Sequence, residues 1–214
     1  MYTLFRKGNS SSSADGKKVP EARPDPSMFT DEETLREYGH ILDATAPRRA
    51  ITRINNVRDD GNCGYRAIAR IVKGDEEMWR TVKEEMLQHL ESQLSLYLPL
   101  FGESEVSRTA ARLWNRDTPT PSQYWLCIPE DPVIAANTYN VALAFYVNDS
   151  CNLYVPMFSL PSPHPGAIQL HNRHFYQLEY NTRAKITWPR LYPAHFSFCQ
   201  RHQLQDYSLA FSHL

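Results

Sequence analysis

Little in this sequence is long and apolar, rich in cysteine, or strongly charged. No hydrophobic run approaches the ~20 residues that a membrane-crossing helix requires; the longest obvious one is residues 141–147. The N-terminus lacks the apolar core of a secretory signal. Four cysteines, Cys63, Cys127, Cys151 and Cys199, are scattered along the chain with no Cys-x-x-Cys pair and no Cys/His ligand spacing. That argues against a disulfide-stapled scaffold and against a zinc module. An excess of either charge is missing too. With 23 Lys and Arg against 24 Asp and Glu, the formal net charge is −1, which gives no basis for autonomous nucleic-acid binding. The expectation is a reduced intracellular protein, cytoplasmic and/or nuclear, off the membrane and without metal or other cofactor.

What is present suits a folded domain. Hydrophobic residues make up 42% of the 214 and charged residues 22%, enough for one domain of moderate size with flanking segments. Residues 51–180 carry 11 Lys and Arg against 15 Asp and Glu, and residues 181–214 carry 4 against 1.

Residues 1–27 read as a disordered leader: Ser10-Ser11-Ser12-Ser13, then Pro20, Pro24 and Pro26, with few large apolar side chains to offset ordering entropy. Residues 28–50 read as an accessory helix and linker. Thr30-Asp31-Glu32-Glu33 resembles a capping box ahead of Leu35, Tyr38, Ile41 and Leu42. A strand over 51–57 then leads into the polar turn Asp60-Gly61-Asn62, and Tyr65, Ile68, Ala69 and Val72 have helical spacing. Met78, Val82, Met86, Leu90, Leu94 and Leu98 recur every four residues, which predicts one long core-facing helix stopped at Pro99. Further helices are predicted over 103–115 and 133–139. Strands are predicted over 141–147, 151–157, 168–170 and 174–180, the first two forming a hairpin about Asn148-Asp149-Ser150. Helices first and strands second imply an α+β fold. The aromatic-rich tail, 181–214, is expected to pack its first part on the domain.

The chemistry concentrates at two places. Cys63 stands where a polar turn becomes a helix, and His174 opens an apolar alternating run. A thiol attacks only as its thiolate. Unpaired amides at a helix start, and a histidine that takes the proton, both favour that form. Gly61 permits the unusual backbone dihedrals of a turn that aims amides at an oxyanion. A lone cysteine is more often an inert core residue, but three polar turn residues ahead of Cys63 favour a nucleophile.

Asp60-Gly61-Asn62-Cys63 with Tyr65-Arg66-Ala67-Ile68 resembles the nucleophile motif of the ovarian-tumour (OTU) cysteine proteases, and Asn172-Arg173-His174-Phe175-Tyr176 resembles their histidine motif. Trp125, Ile134-Ala135 and the apolar strand after Asn140 agree with the family's middle segment. Glycine after the cysteine, with a Trp-x-x-x-Pro-like segment, is similar to OTU domains associated with Mutator-like transposases and with fungal and plant relatives. The similarity spans residues 51–180. It implies a papain-like fold, with helices around a small, mostly antiparallel sheet. It implies an isopeptidase that removes ubiquitin or a ubiquitin-like modifier from lysine through a thioester, with conjugates of that modifier as partners and no particular oligomeric state.

By matching, Cys63 is the nucleophile, His174 the general base and acid, and Asp60 the motif aspartate that supports the turn. Gly61 and Asn62 belong to the oxyanion turn. Two positions depart from the pattern. Tyr176 stands where many relatives place an Asp or Asn that orients the histidine; Asn172, or an acid from an upstream segment, is left for that role. Gly64 replaces a bulky aromatic and is expected to leave room beside the sulfur. Two other readings follow from the same residues: a catalytically weak, modifier-binding scaffold, which Tyr176 motivates, and a transposon-derived fragment. His171 is the rival base, expected to face elsewhere from the turn ahead of the strand.

Overall fold

A computed structural model of the chain describes residues 31–160 and 163–201. The expected leader over 1–27, part of the proline-rich loop and the end of the tail lie outside the described residues. Helix α1 (Asp31–Tyr38) and a 3-10 turn, Gly39–Ile41, precede strand β1 (Ile51–Asn56). Helices α2 (Cys63–Lys73), α3 (Trp79–Ser92), α4 (Leu94–Phe101), α5 (Glu103–Trp114) and α6 (Glu130–Tyr139) follow. Then come β2 (Leu143–Tyr146), β3 (Asn152–Tyr154), β4 (Gly166–His171), β5 (His174–Tyr180) and helix α7 (Pro193–Arg201).

The strands form one sheet in the order β1-β5-β4-β2-β3, antiparallel at every step except β4 beside β2. The β4–β5 register is pinned by a two-residue turn. Asn172 and Arg173 both take positive φ, 48° and 66°, the backbone twist that closes a tight hairpin, and His171 faces His174 across it. Side-chain alternation divides the core into two layers. Leu143 and Phe145 of β2 join a cluster with Ile68, Val82, Met86, Ile134 and Phe175 beneath the helices. Ala144 and Tyr146 face the opposite layer, with Ile41, Leu42, Ile54 and Leu178. Both faces are therefore covered, and every residue of β2 is buried. The first part of the tail packs on β3: Leu153 donates its N–H to Arg190 O at 2.8 Å and accepts that of Tyr192 at 3.0 Å.

The single long helix expected over 78–98 is two helices that part at Gln93 (φ −122°), and Pro99 lies inside the second. A strict four-residue repeat gains about 40° per step against a 3.6-residue turn, so such a stripe cannot stay on one face. Val82, Met86 and Leu90 are fully buried, whereas Met78, Leu94 and Leu98 at the ends are 39%, 41% and 40% exposed. Among the described residues, no helix is long and apolar enough to cross a membrane.

Candidate active site

The turn ahead of α2 is held from three sides. Asp60 accepts the N–H of Asn62 at 3.0 Å and pairs with Arg66, one helical turn on, at 2.7 Å. Its carbonyl accepts the N–H of Thr120 at 2.8 Å. Burial pushes the Asp60 carboxyl up, but the Arg66 guanidinium and the Asn62 N–H outweigh it and hold the group below its usual range. Gly61 has φ +80°, and a Cβ there would lie 2.5 Å from Thr120 O and 2.6 Å from Trp125 Nε1. Both backbone and space require glycine. Trp125 donates to Thr120 O at 2.9 Å and carries the Arg173 guanidinium 4.9 Å from its ring centre. The nucleophile turn, the middle segment and the histidine turn thus meet at one place.

Asn62 is fully buried. Its Nδ2 donates to Asp117 O at 3.3 Å, and its Oδ1 accepts from Lys83 Nζ at 3.2 Å. Its backbone N–H is taken by Asp60. Asn62 therefore supports the turn rather than offering an oxyanion donor, contrary to the expectation from sequence; the N–H groups of Gly61 and Cys63 are the candidates left. The space beside Gly64 is also filled: a Cβ there would sit 2.6 Å from Leu126 Cβ. Glycine at this position admits Leu126, not substrate.

Cys63 opens α2 and is 5% exposed. Burial pushes its thiol up. The backbone N–H groups of Phe175 and Gly64 pull the other way, Asp59 and Asp60 add to the rise, and the balance is upward. That direction favours the thiol, opposite to the pull that a helix start and a histidine exert by themselves.

His174 is the first residue of β5. A ring nitrogen of His174, the Cys63 sulfur and a carboxylate oxygen of Asp59 all lie within 4.8 Å of one another. This trio is the only His/Cys/Asp/Glu group among the described residues compact enough to suggest shared ligation of an ion. The ring's Nε2 is 2.9 Å from Asn56 Oδ1. Its Nδ1 is buried without a hydrogen bond, 3.6 Å from Asp59 Oδ1. An amide oxygen at Nε2 fixes the tautomer with hydrogen on that nitrogen and leaves the Nδ1 lone pair for the thiol.

Asn56 was not singled out by the sequence. Its position follows from register: it pairs with Tyr176 across β1 and β5, so His174, two residues back, is its diagonal neighbour on the same face. Asn172 does not fill the role. It is exposed at the hairpin turn, and the ring's hydrogen-bond partner is Asn56. Tyr176 instead packs its ring edge-on to His174, 4.7 Å between centres. Behind it stands Tyr38 of α1, 6.4 Å from the Tyr176 ring. Burial and the neighbouring Glu37 carboxylate raise the Tyr38 phenol, and the nearby Asn56 amide opposes that rise. His171 closes β4 and meets the His40 ring edge-on at 6.1 Å.

The chain is similar to solved structures of OTU domains. The viral OTU domain protease from Dera Ghazi Khan virus superposes with a TM-score of 0.50 at 14% identity, over 62% of this chain and 83% of that one. The fold is that of an OTU domain. The OTUD1 OTU domain gives a TM-score of 0.47 at 16% identity over 71% of this chain and 95% of that one. The Farallon virus OTU protease gives 0.46 at 22% over 61% and 85%. No protein-family model matches the sequence, and no curated protein matches it.

Proposed function

We propose that this chain is an OTU-family cysteine isopeptidase that removes ubiquitin or a ubiquitin-like modifier from lysine. The observation that carries the reading is the Cys63–His174–Asn56 arrangement at the meeting of a helix start and a sheet edge. His174 Nδ1 takes the Cys63 proton as sulfur attacks the carbonyl carbon of the modifier's C-terminal glycine. The oxyanion is met by backbone N–H groups at the Gly61–Cys63 turn. Collapse expels the lysine amine, which takes the proton from His174 and leaves a thioester. A water molecule, deprotonated by His174, attacks the thioester carbonyl, and the sulfur departs as a thiol on receiving that proton. Asn56 keeps the ring in the tautomer that each step requires, and Asp60 holds the turn through Arg66. Nothing in this reading calls on an association with Mutator-like transposases.

Release of a fluorophore from an amide of ubiquitin's C-terminus tests it. The parent protein turns the substrate over, and Cys63→Ala and His174→Ala do not. No release by micromolar protein under reducing conditions removes the proposal.

A second reading is favoured by the buried, upward-shifted thiol beside Asp59: a modifier-binding domain with little hydrolysis. Ubiquitin binding unchanged by Cys63→Ala, together with absent turnover, is the result it predicts.

A further inference from the structure

We propose that Asp59, Cys63 and His174 form an inhibitory site for a zinc ion, held by the sulfur and the imidazole nitrogen that hydrolysis uses and by a carboxylate that hydrolysis does not. Binding stands on the geometry of the three side chains; its consequence for turnover rests on the isopeptidase reading.

The donors are a thiol sulfur, an imidazole nitrogen and a carboxylate oxygen, all within 4.8 Å of one another. Four-coordinate zinc binds these atoms at bond lengths that put neighbouring donors roughly 3.3–3.6 Å apart. His174 Nδ1 and Asp59 Oδ1 are already 3.6 Å apart, so a shift on the order of 1 Å brings the sulfur into place. Sulfur and nitrogen donors select zinc over magnesium and calcium, which take oxygen. Cys63 is 5% exposed and the His174 side chain 12%, whereas the Asp59 side chain is 81% exposed. A buried pair thus carries a solvent-facing carboxylate at its mouth, where a cation enters.

Two features of the cluster suit a cation. With hydrogen on Nε2, the His174 Nδ1 lone pair is buried without a hydrogen bond and faces an Asp59 oxygen that presents lone pairs of its own. An ion between the two replaces their repulsion with two bonds. The second feature is Asp59 itself. It has no part in the proposed hydrolysis, and behind burial its charge adds to the rise of the Cys63 thiol. A carboxylate in this place hinders a thiolate nucleophile and completes a metal site. The outer partner is also present: Asn56 Oδ1 takes the Nε2–H at 2.9 Å, the hydrogen bond that metal-binding imidazoles ordinarily make on their far nitrogen. Binding exchanges the hydrogen on sulfur for the ion, releases one proton to solvent, and leaves neither a free nucleophile nor a free base.

The experiment titrates the full chain, under a phosphine reductant, with cobalt(II) as a spectroscopic stand-in and with zinc against a chromophoric chelator. The parent is expected to bind one cobalt ion with a thiolate-to-metal charge-transfer band, which zinc abolishes and which Cys63→Ala lacks. Asp59→Asn is expected to weaken zinc by about tenfold or more, the loss that removal of even an outer partner brings, while its turnover of a ubiquitin amide without metal stays at or above the parent's. Zinc is expected to stop the parent's turnover over the concentration range in which it binds, and to protect Cys63 from iodoacetamide until a chelator is added; that arm needs no variant. Magnesium and calcium are expected to do neither. A folded parent without the charge-transfer band, a band that survives in Cys63→Ala, or parental zinc affinity in Asp59→Asn overturns the site. Metal binding as expected with no turnover at any zinc concentration refutes the isopeptidase reading and leaves the site standing; turnover with no metal binding refutes the site alone.

Discussion

Asn56 Oδ1 lies 2.9 Å from His174 Nε2, joining the last residue of β1 to the first of β5. The amide takes the orienting position that Tyr176 leaves vacant in the histidine motif. Asn56→Ala is expected to lower kcat roughly ten- to a hundredfold with little change in KM, since the ring loses its tautomer and aim rather than its contact with substrate. Steady-state kinetics on a ubiquitin amide decides. A variant with parental kcat would mean that the ring is held by something else.

The Tyr38 hydroxyl of helix α1 lies near the same amide, whose pull on it opposes the rise caused by burial and Glu37. Tyr38→Phe removes the hydroxyl and keeps the ring against Tyr176. It is expected to reduce kcat by a smaller factor than Asn56→Ala, and to change nothing further in the Asn56→Ala background. Additive losses in the double variant would place Tyr38 on a separate route.

Asp60 and Arg66 form a buried pair in which Arg66, among the described residues, has Glu77, at 3.3 Å, as its one other acid. Asp60→Ala is expected to cost about 3 kcal/mol by leaving a guanidinium half paired in the interior. The folded Asp60 carboxyl sits below its usual range. Its contribution is therefore complete above the pKa of the unfolded group and fades as pH falls through the lower folded value. Urea unfolding at neutral and acid pH should show the parent's advantage over Asp60→Ala shrinking with acid.

Gly64→Ala drives a methyl group into Leu126. Overpacking of this kind costs roughly 1–3 kcal/mol. Leu126→Gly also destabilises, by leaving a void, but the two changes compensate each other. The double variant is expected to unfold at a higher denaturant concentration than the sum of the single losses predicts, and strict additivity would show that the two sites do not touch.

Lys83 makes stability depend on pH in the same sense as Asp60, but in a higher pH window. Its ammonium titrates near 7 in the folded chain against 10.5 ordinarily. Between those values the unfolded chain holds a proton that the native chain has lost, so the native state gains stability as pH rises. Lys83→Met is expected to exceed the parent by on the order of a few kcal/mol below neutrality, with the gap closing toward pH 10. Urea midpoints across that range check it; a gap that widens with pH contradicts the buried charge.

The sequence made Cys63, His174 and most strands legible because each is a local event: a polar turn before a helical pattern, or alternation after a tight turn. Asn56 is not local. It reaches His174 only through the pairing of β1 with β5, 118 residues apart, and an asparagine at the end of a strand carries no mark until that register is known. The α3–α4 break was hidden by a repeat that looks helical yet drifts around the axis. Lys83 did leave a trace: it precedes Met86 and Leu87 by three and four residues and so lies on the buried face of its own helix.

The most direct measurement of the central claim is reaction of the intact protein with ubiquitin bearing a C-terminal electrophile, under reducing conditions, read by mass. One ubiquitin per chain is expected on Cys63, with no adduct in Cys63→Ala and a much slower one in His174→Ala. An absent adduct in protein whose Cys63 still reacts with iodoacetamide, or an adduct on another cysteine, would contradict it.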